Sequence, residues 1–357
     1  MLIDTAKARD FCETLFAAYG FSSDESKIIA DVLLRADLYG IESHGIHRLS
    51  RYHEEITTGQ VDVNAKIETV HETAISACLE ANKAMGQTTG VKAMNLAIQK
   101  AKSSGCGMVT VRNSNHYGIA SYYTELAGEE DLVGVSMTNT EAICVPTFGC
   151  EAMTGTNALA LAMPAEPYVF SYDASTTVVP RGKLEVYRKN GQPLPDNWAL
   201  DANGKPCNDA AAVVENIIAK SGGGIAPLGG LGTLHGGHKG YGLSIIVDMF
   251  SAVISGGLTS NHVNRKPGHT GICHYFMAFD YGIFGDKKEI KNNMSKFLQE
   301  IRDSRKAEGQ NRIYTHGERE AELMAERKNG QIPINEKTIE EMKAIAKQLN
   351  VDCGMLA

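Results

Sequence analysis

The chain has 357 residues, of which 43% are hydrophobic and 22% are charged. This length and composition predict a folded protein of about two domain equivalents and exclude a disordered chain. The formal net charge is −7, and no run of five basic residues occurs. Those two features argue against binding to a nucleic-acid backbone as the main role.

The cysteines and the apolar segments indicate a cytoplasmic protein. Eight cysteines are scattered without a Cys-x-x-Cys pair, which fits reduced thiols better than a disulfide framework or a structural zinc site. Met1–Phe16 lacks the apolar core of a signal peptide. The longest apolar window, Tyr241–Ile254, is interrupted by Asp248 and is too short to span a membrane as a helix.

Three helices are predicted at the start of the chain. The first covers Thr5–Tyr19 and ends at Gly20. The second begins at the capping box Ser22–Glu25 and stops at Gly40. Ser43 stands where an N-cap belongs, so a third helix is predicted over His44–Thr57.

Strands and helices alternate through the middle, and helices return at the end. The predicted elements are an extended segment Ile67–Leu79, helix Thr88–Lys102, strands Gly107–Arg112, Leu132–Thr138, Ala158–Met163 and His274–Ile283, and helices Lys287–Lys306, Arg319–Lys328 and Glu336–Gln348. This order predicts an α/β body flanked by a helical lobe built from both termini. The corresponding segments are 1–62, 63–307 and 308–357.

Two further segments have distinctive compositions. Turn-forming Gly, Pro and Asn residues punctuate Val179–Gly204, which predicts a long surface excursion. The glycine-rich segment Ser221–Gly240 precedes a predicted helix Tyr241–Ser255 that has no polar stripe, so that helix is predicted to be buried.

The first candidate site lies at the start of the third predicted helix. His44, Arg48 and Tyr52 fall at i, i+4 and i+8, and therefore on one face of a helix. An arginine can hold a carboxylate with two hydrogen bonds, and a histidine can exchange a proton near neutral pH. The alternative is a solvated helix face without a chemical role.

The second candidate site is the polar turn Arg112–Gly118, which follows a predicted strand and precedes a helix. Open α/β sheets bind ligands at such positions, so His116 is a candidate acid/base group. The alternative is that His116 and its neighbouring asparagines only satisfy the backbone of the turn.

Further segments carry weaker signals. Thr154–Asn157 and Asp173–Thr177 offer hydroxyls and backbone amides that suit ribose or phosphate, although ordinary turns have the same composition. At the helix start His235–Gly242, Lys239 could meet an anion. A metal held by His235 and His238 is the rival there, and no carboxylate or thiolate stands at matching spacing.

Several common enzyme motifs are absent from the sequence. No Gly-x-Gly-x-x-Gly opens a helix after a strand, and no phosphate-binding P-loop occurs. This argues against an ordinary Rossmann dinucleotide site and against a P-loop kinase. The absence of Gly-x-Ser-x-Gly and His-Glu-x-x-His argues against the commonest hydrolases.

An ordered set of motifs resembles the type 2 malate/L-lactate dehydrogenase family, which includes sulfolactate and ureidoglycolate dehydrogenases, 2,3-diketogulonate reductase and cyclic ketimine reductases. The motifs are Ala36–Gly45, Asn115–Gly118, Gly155–Asn157, Asp173–Ser175 and Lys239–Leu243. The resemblance implies a non-Rossmann NAD(P)-binding fold with a mixed sheet. It also implies a homodimer with active sites near the subunit contact.

The resemblance also implies roles for individual residues. Ser43 and His44 match a proton relay, Arg48 matches the position that binds the substrate carboxylate, and Thr156 matches a further substrate contact. Tyr52, on the same predicted helix face as Arg48, is a further candidate substrate-binding residue. His116 matches the acid/base histidine of other members and ranks above His44 for a hydroxy acid, although members differ in which histidine moves the proton. The matching cofactor contacts are His116, Tyr117, Gly118, Ile119, Ala120, Thr140, Asp173, Ala174, Ser175, Lys239, Gly240, Arg312, His316, Gly317 and Glu318.

These expectations define an NAD(P)-dependent oxidoreductase that acts at C2 of a small 2-hydroxy or 2-oxo acid, foremost malate and oxaloacetate. NAD is preferred over NADP, and no metal is expected. Lactate, sulfolactate, ureidoglycolate and 2,3-diketogulonate are the alternative substrates. Arg181-Gly182-Lys183 stands where ketimine reductases have an aspartate, which favours a hydroxy acid over an imine. Arg181 could meet a second anionic group or face solvent.

Two readings from other classes remain open at the level of sequence. The first is a catalytically silent nucleotide-binding protein, against which both histidines and Arg48 argue. The second is a metal-dependent enzyme that uses His235, His238 and Asp248.

Overall fold

The computed structural model describes residues 1–265 and 268–354. The α-helices in these ranges are α1 (Thr5–Ala18), α2 (Ser23–Leu38), α3 (Leu49–Thr57), α4 (Gly86–Ser104), α5 (Ser121–Glu129), α6 (Arg181–Lys189), α7 (Ala210–Ala219), α8 (Gly237–Asp248), α9 (Lys287–Asp303), α10 (Glu318–Arg327) and α11 (Glu336–Leu349). The strands are β1 (Leu2–Asp4), β2 (Glu68–Glu72), β3 (Ser76–Glu80), β4 (Cys106–Ser114), β5 (Val133–Thr138), β6 (Ala158–Met163), β7 (Phe170–Ala174), β8 (Ala199–Leu200), β9 (Gly224–Ile225), β10 (Ile272–Phe279) and β11 (Gln331–Pro333).

The central element is a seven-stranded mixed sheet with the order β2-β3-β4-β10-β5-β6-β7. Strands β3 and β4 are parallel, and the other neighbouring pairs are antiparallel. Helices α2, α4 and α5 cover one face through a buried cluster that includes Val32, Ala97, Tyr123 and Phe276. The mixed-sheet prediction is confirmed, and the order differs from the parallel sheet of a Rossmann domain.

Both ends of the chain build one helical lobe, as predicted. Strand β1 pairs with β11, with Ile3 opposite Ile332. One buried cluster unites Phe11 and Leu33 from the first two helices with Met342 from the last. Burial of such side chains contributes roughly 1.5–3 kcal/mol each and so ties the two termini together. The boundaries 1–62, 63–307 and 308–357 remain a prediction.

The second helix begins at the predicted capping box, since Ser22 and Glu25 satisfy each other's backbone N–H groups. The prediction of one helix over His44–Thr57 is wrong at its start. The chain forms two 3-10 turns, Glu42–His44 and Ile46–Arg48, before α3 begins at Leu49. Gly45 between them has φ −86° and ψ −149°, values that a helix does not allow.

The predicted surface excursion at Val179–Gly204 is also wrong in part. The segment contains α6 and β8, and Leu184 is fully buried. Leu184 packs with Leu194 and Val213 in a third hydrophobic cluster. The turn residues therefore punctuate a small folded layer rather than an open loop.

The apolar helix near residue 245 starts earlier than predicted and is less buried than predicted. Helix α8 begins at Gly237 and continues into a π-helical turn, Met249–Val253. The predicted burial is wrong for one face of this segment, because Val253 is 60% and Ile254 is 57% exposed. The predicted strand His274–Ile283 is shortened, since β10 ends at Phe279. Within the described ranges, no helix has the length and hydropathy that crossing a bilayer requires.

Candidate active site

His116 lies in a rigid connection between β4 and α5. Asn115 is almost completely buried, and its side-chain amide donates hydrogen bonds to the carbonyls of Lys83 and Ala84 at 2.9 and 3.0 Å. The start of α4 presses on the same connection. A Cβ at Gly86 would lie 2.3 Å from the His116 carbonyl oxygen, so this position has no space for a side chain.

The imidazole of His116 is held through one nitrogen. The Tyr52 hydroxyl lies 2.8 Å from Nδ1, and the backbone nitrogen of Gly118 lies 3.4 Å from the same atom. Nε2 has no hydrogen-bond partner among residues 1–265 and 268–354, so this nitrogen is available to a ligand. The His44 ring stacks on His116 with centroids 5.6 Å apart. Both predicted histidines therefore come together.

The two 3-10 turns place the other predicted residues beside these rings. The Ser43 hydroxyl lies 2.9 Å from His44 Nδ1. Arg48 Nε donates to the Ser43 carbonyl at 2.5 Å, which orients the guanidinium and leaves its outer nitrogens for an anion. Tyr52, a predicted substrate contact, is fully buried, and its hydroxyl lies against His116.

The surroundings keep both histidines neutral. Burial lowers the pKa of His44 to about 3, and the positive charges of Arg48 and Arg51 act in the same direction. Burial lowers the pKa of His116 well below its usual value, again with help from both arginines. A neutral imidazole is the form that can accept a proton from a hydroxyl group.

Thr140 and Thr156 meet near the carboxyl end of β5. Their hydroxyls are 3.1 Å apart, and the Thr156 N–H donates to the Thr140 hydroxyl at 3.0 Å. Asn157 is fully buried and accepts a hydrogen bond from the Thr140 N–H at 3.2 Å. Its amide donates to the Asp248 carboxylate in α8 at 2.8 Å. The threonines are thus fixed by a buried polar network.

One cavity gathers three predicted cofactor residues, Asp173, His316 and Gly317. The Asp173 carboxylate accepts a hydrogen bond from the Ser121 N–H at the start of α5, at 2.8 Å. The His316 carbonyl accepts from the Ser171 N–H at 3.2 Å, which brings the loop before α10 against β7. The cavity has a volume of 220 Å³ and is lined by Tyr39, Ile41, Ser121, Ser171, Asp173, Tyr314, Thr315, His316, Gly317, Arg319 and Glu320.

Other predicted cofactor residues do not present their side chains to this cavity. Tyr117 is buried and stacks on His274 with centroids 4.5 Å apart, and Ile119 and Ala120 are also buried. Glu318 is 1% exposed and accepts from the Thr315 N–H. Arg312 pairs with Glu318 and Glu322. Tyr117, Ile119 and Ala120 therefore offer no exposed side chain to a ligand.

The helix start that contains Lys239 connects to the same region. Lys239 is exposed, whereas Gly240 is buried against Leu228, where a Cβ would lie 2.2 Å from the Leu228 carbonyl oxygen. The Leu228 N–H in turn donates to the Thr176 carbonyl, next to Ser175. Gly240 is therefore required for close packing of α8, and Lys239 remains free to reach an anion.

Three residues near the site had no distinct signal in the sequence. Asp37 is buried and accepts a hydrogen bond from the Ile46 N–H. Gln87 is fully buried without a partner for its amide in the described residues. Burial lowers the pKa of Arg48, and the negative charge of Glu185 in α6 opposes that change. Only Asp37 lies in a recognised motif, and nothing in that motif indicates its contact.

Metal ligands do not cluster in the part of the chain that the structure describes. No group of three or more His, Cys, Asp or Glu side chains there is arranged to hold an ion. His235 and His238 are both exposed.

Comparison with known proteins agrees with this geometry. The sequence profile of the malate/L-lactate dehydrogenase family matches residues 3–343. Malate dehydrogenase from Pyrococcus abyssi is 43% identical over 96% of this chain and 93% of its own length. L-sulfolactate dehydrogenase from Methanocaldococcus jannaschii is 37% identical over 94% of this chain and 93% of its own length. The structure of malate dehydrogenase from Pyrococcus horikoshii has a TM-score of 0.89 at 40% identity, covering 99% of this chain and 96% of the other.

The family match and these relatives define an oxidoreductase of a class that uses a nicotinamide cofactor. The chain belongs to the malate/L-lactate dehydrogenase family.

Proposed function

We propose that the chain interconverts malate and oxaloacetate with NAD as its cofactor. The observation that carries the proposal is the cluster of His116, His44 and Arg48, in which two neutral imidazoles lie beside a guanidinium. A 2-hydroxy acid offers a carboxylate to the arginine and a hydroxyl to a histidine. A ligand without an acid group would leave the guanidinium of Arg48 without an anionic partner.

Arg48 holds the C1 carboxylate, and its Nε bond to the Ser43 carbonyl fixes the direction of the guanidinium. His116 Nε2 accepts the hydroxyl proton during oxidation and returns it during reduction. The Tyr52 hydroxyl stabilises the resulting imidazolium by accepting from Nδ1. His44, hydrogen-bonded to Ser43 and stacked on the His116 ring, is the second proton carrier of the site. A nicotinamide cofactor, when bound, would be the hydride donor or acceptor for C2.

The donor set of the cavity at Asp173 fits part of a dinucleotide. Ile41 and Tyr314 offer apolar surface for a base, Ser121 offers a hydroxyl, and Arg319 offers a positive charge for phosphate. The Asp173 carboxylate suits a ribose diol and repels a ribose phosphate. This charge supports NAD as the preferred cofactor.

Helix α6 supports a substrate with a second acid group. Glu185 lies close enough to act on the charge of Arg48, and Arg181 on the same helix pairs with Glu185 at 2.9 Å. We infer that Arg181 can exchange Glu185 for the second carboxylate of malate. The sulfonate of sulfolactate is also a second negative charge, so sulfolactate is the second candidate substrate.

The direct test is oxidation of NADH and of NADPH, followed at 340 nm, with oxaloacetate, pyruvate, sulfopyruvate, 2,3-diketogulonate and a cyclic ketimine. We expect oxaloacetate to give the highest kcat/KM and NADH to exceed NADPH. A higher value with sulfopyruvate would transfer the assignment to sulfolactate. Cofactor binding without turnover of any acid would refute the proposed activity.

The exposed apolar face of α8 and its π-helical turn supports a homodimer. Ile245, Ile246, Met249, Val253 and Ile254 are each at least 40% exposed, and such a surface on a soluble protein usually marks a contact. The buried bond between Asp248 and Asn157 connects this helix to Thr140 and Thr156. A second copy on this face would place the subunit contact next to the substrate position. The eight free thiols support a reducing, cytoplasmic location.

A charged residue in this face should separate the subunits. We expect Ile246→Glu to reduce the mass in light scattering from twice to once the 38.5 kDa of the chain, because burial of the carboxylate is unfavourable. Turnover should fall by about tenfold or more as the threonines shift. Phe284→Glu, at an exposed apolar position after β10, is the matched control and should leave the mass unchanged. An unchanged mass for Ile246→Glu would place the contact elsewhere.

A further inference from the structure

Asp37 holds the turn that carries the anion-binding residues. This aspartate is 4% exposed in the last turn of α2. Its Oδ2 accepts a hydrogen bond from the Ile46 N–H at 2.8 Å. Ile46 lies between His44 and Arg48, at the junction of the two 3-10 turns. From this contact we propose that Asp37 is a positioning residue that sets substrate affinity through Arg48. The inference rests on the proposed function only in naming a carboxylate substrate.

The close approach of Gly45 gives independent support. A Cβ at Gly45 would lie 2.0 Å from Asp37 Oδ1 and 2.4 Å from Oδ2. The backbone of the turn therefore lies directly against the carboxylate, and any residue larger than glycine would push the turn away. The φ of Gly45 is negative, so it is the contact with Asp37, rather than an unusual backbone conformation, that requires a glycine here.

Asp37 also connects the turn to the end of the chain. Its carbonyl oxygen accepts a hydrogen bond from Arg327 in α10 at 2.6 Å. The Thr5 hydroxyl donates to the Arg327 carbonyl at 2.8 Å. Asp37 is thus anchored in the helical lobe.

Titration of Asp37 provides a signature that a purely structural role lacks. Burial raises the pKa of Asp37 to about 7, against the hydrogen bond from Ile46. The charged and titratable groups that face it are Glu42, Arg327 and the thiol of Cys12. A proton on Asp37 removes the charge that strengthens the bond to Ile46, because hydrogen bonds to ionised acceptors are the stronger ones.

The same proton stabilises the fold. The pKa of an aspartate in an unfolded chain is about 3.9, whereas that of folded Asp37 is about 7. Protons are therefore taken up on folding between these values. The stabilising contribution is fully present below about pH 4 and is lost as pH rises through 7. Stability and substrate affinity should consequently change in opposite directions as pH falls from 8.

The test compares the wild type with Asp37→Asn, which keeps an oxygen acceptor but has no charge. At pH 8 we expect KM for oxaloacetate to be about tenfold higher in the variant, with kcat changed less than about threefold. Between pH 8 and 6 the wild-type KM should rise toward that of the variant, which should stay flat. Over the same range the melting temperature of the wild type should rise relative to the variant. Asp24→Asn, exposed on the same helix, is the control and should follow the wild type.

Hydrogen exchange supplies a readout that needs no turnover. At pH 8, a peptide that covers residues 41–49 should exchange faster in Asp37→Asn than in the wild type, because the Ile46 N–H is held less tightly. This difference should persist even if no acid in the panel is a substrate, so a failure of the proposed function would not conceal it. Equal exchange in both proteins would overturn the claim that Asp37 holds this turn. Faster exchange with identical KM profiles would overturn its role in substrate affinity.

Discussion

Replacing His116 with glutamine should lower turnover of the 2-oxo acid by about 10²–10⁴, the usual contribution of an acid/base group. Glutamine keeps a polar side chain of similar reach but cannot exchange a proton. KM should change little, because Arg48 still binds the carboxylate. Steady-state kinetics in both directions measure the effect, and thermal unfolding verifies that the variant is folded.

Matched variants separate His116 from its neighbours. His47→Gln alters an exposed histidine three residues from His44 and should retain wild-type turnover. Tyr52→Phe removes the hydroxyl at 2.8 Å from Nδ1 and should lower turnover by less than His116→Gln, since the ring itself remains. Near-normal turnover in His116→Gln, with a large loss in His44→Gln, would transfer the acid/base role to His44.

Substrate binding also changes the electrostatics around His116. The charges of Arg48 and Arg51 both lower its pKa in the free chain. A carboxylate bound to Arg48, as we propose, would offset part of that charge and raise the pKa of His116. The free site therefore favours the neutral base, whereas the occupied site can hold the proton that reduction requires.

The sequence predicted the elements whose local signals agree with their packing. The capping box at Ser22 and Glu25 starts α2 in the structure, because its hydrogen bonds are local. The segment between β4 and α5 was likewise predicted from its polar residues. His116 and His44 were singled out separately, and the structure brings their rings within 5.6 Å.

The sequence failed where long-range contacts decide the structure. The helix predicted from His44 is interrupted because Asp37 and Gly45 meet, a contact that no helical periodicity reveals. The helix from Tyr241 was predicted as buried, yet its apolar residues face outward in the single chain. Hydrophobicity alone cannot distinguish a core from a surface that a second subunit would cover. The contact between Tyr52 and His116 likewise joins residues that are 64 positions apart, so the local sequence does not reveal it.

Arg48→Lys should raise KM for oxaloacetate by about 10- to 100-fold, since hydrogen bonds to charged groups are worth about 1.5–3 kcal/mol. Lysine keeps the charge but loses the planar two-pronged contact with a carboxylate. It also loses the Nε–H that donates to the Ser43 carbonyl. Because the histidines are untouched, kcat should fall less than KM rises.

A comparison with Arg181→Gln distinguishes the two carboxylates of malate. Arg48→Lys should weaken the binding of pyruvate and of oxaloacetate to a similar degree, because both acids have the C1 carboxylate. Arg181→Gln should raise KM for oxaloacetate by about tenfold and leave KM for pyruvate unchanged, because only the dicarboxylate has a second charge for α6 to bind. The measurement is KM for both acids in both variants. An unchanged KM in Arg48→Lys would remove Arg48 from the substrate site, and equal effects of Arg181→Gln on both acids would remove the basis for preferring malate over lactate.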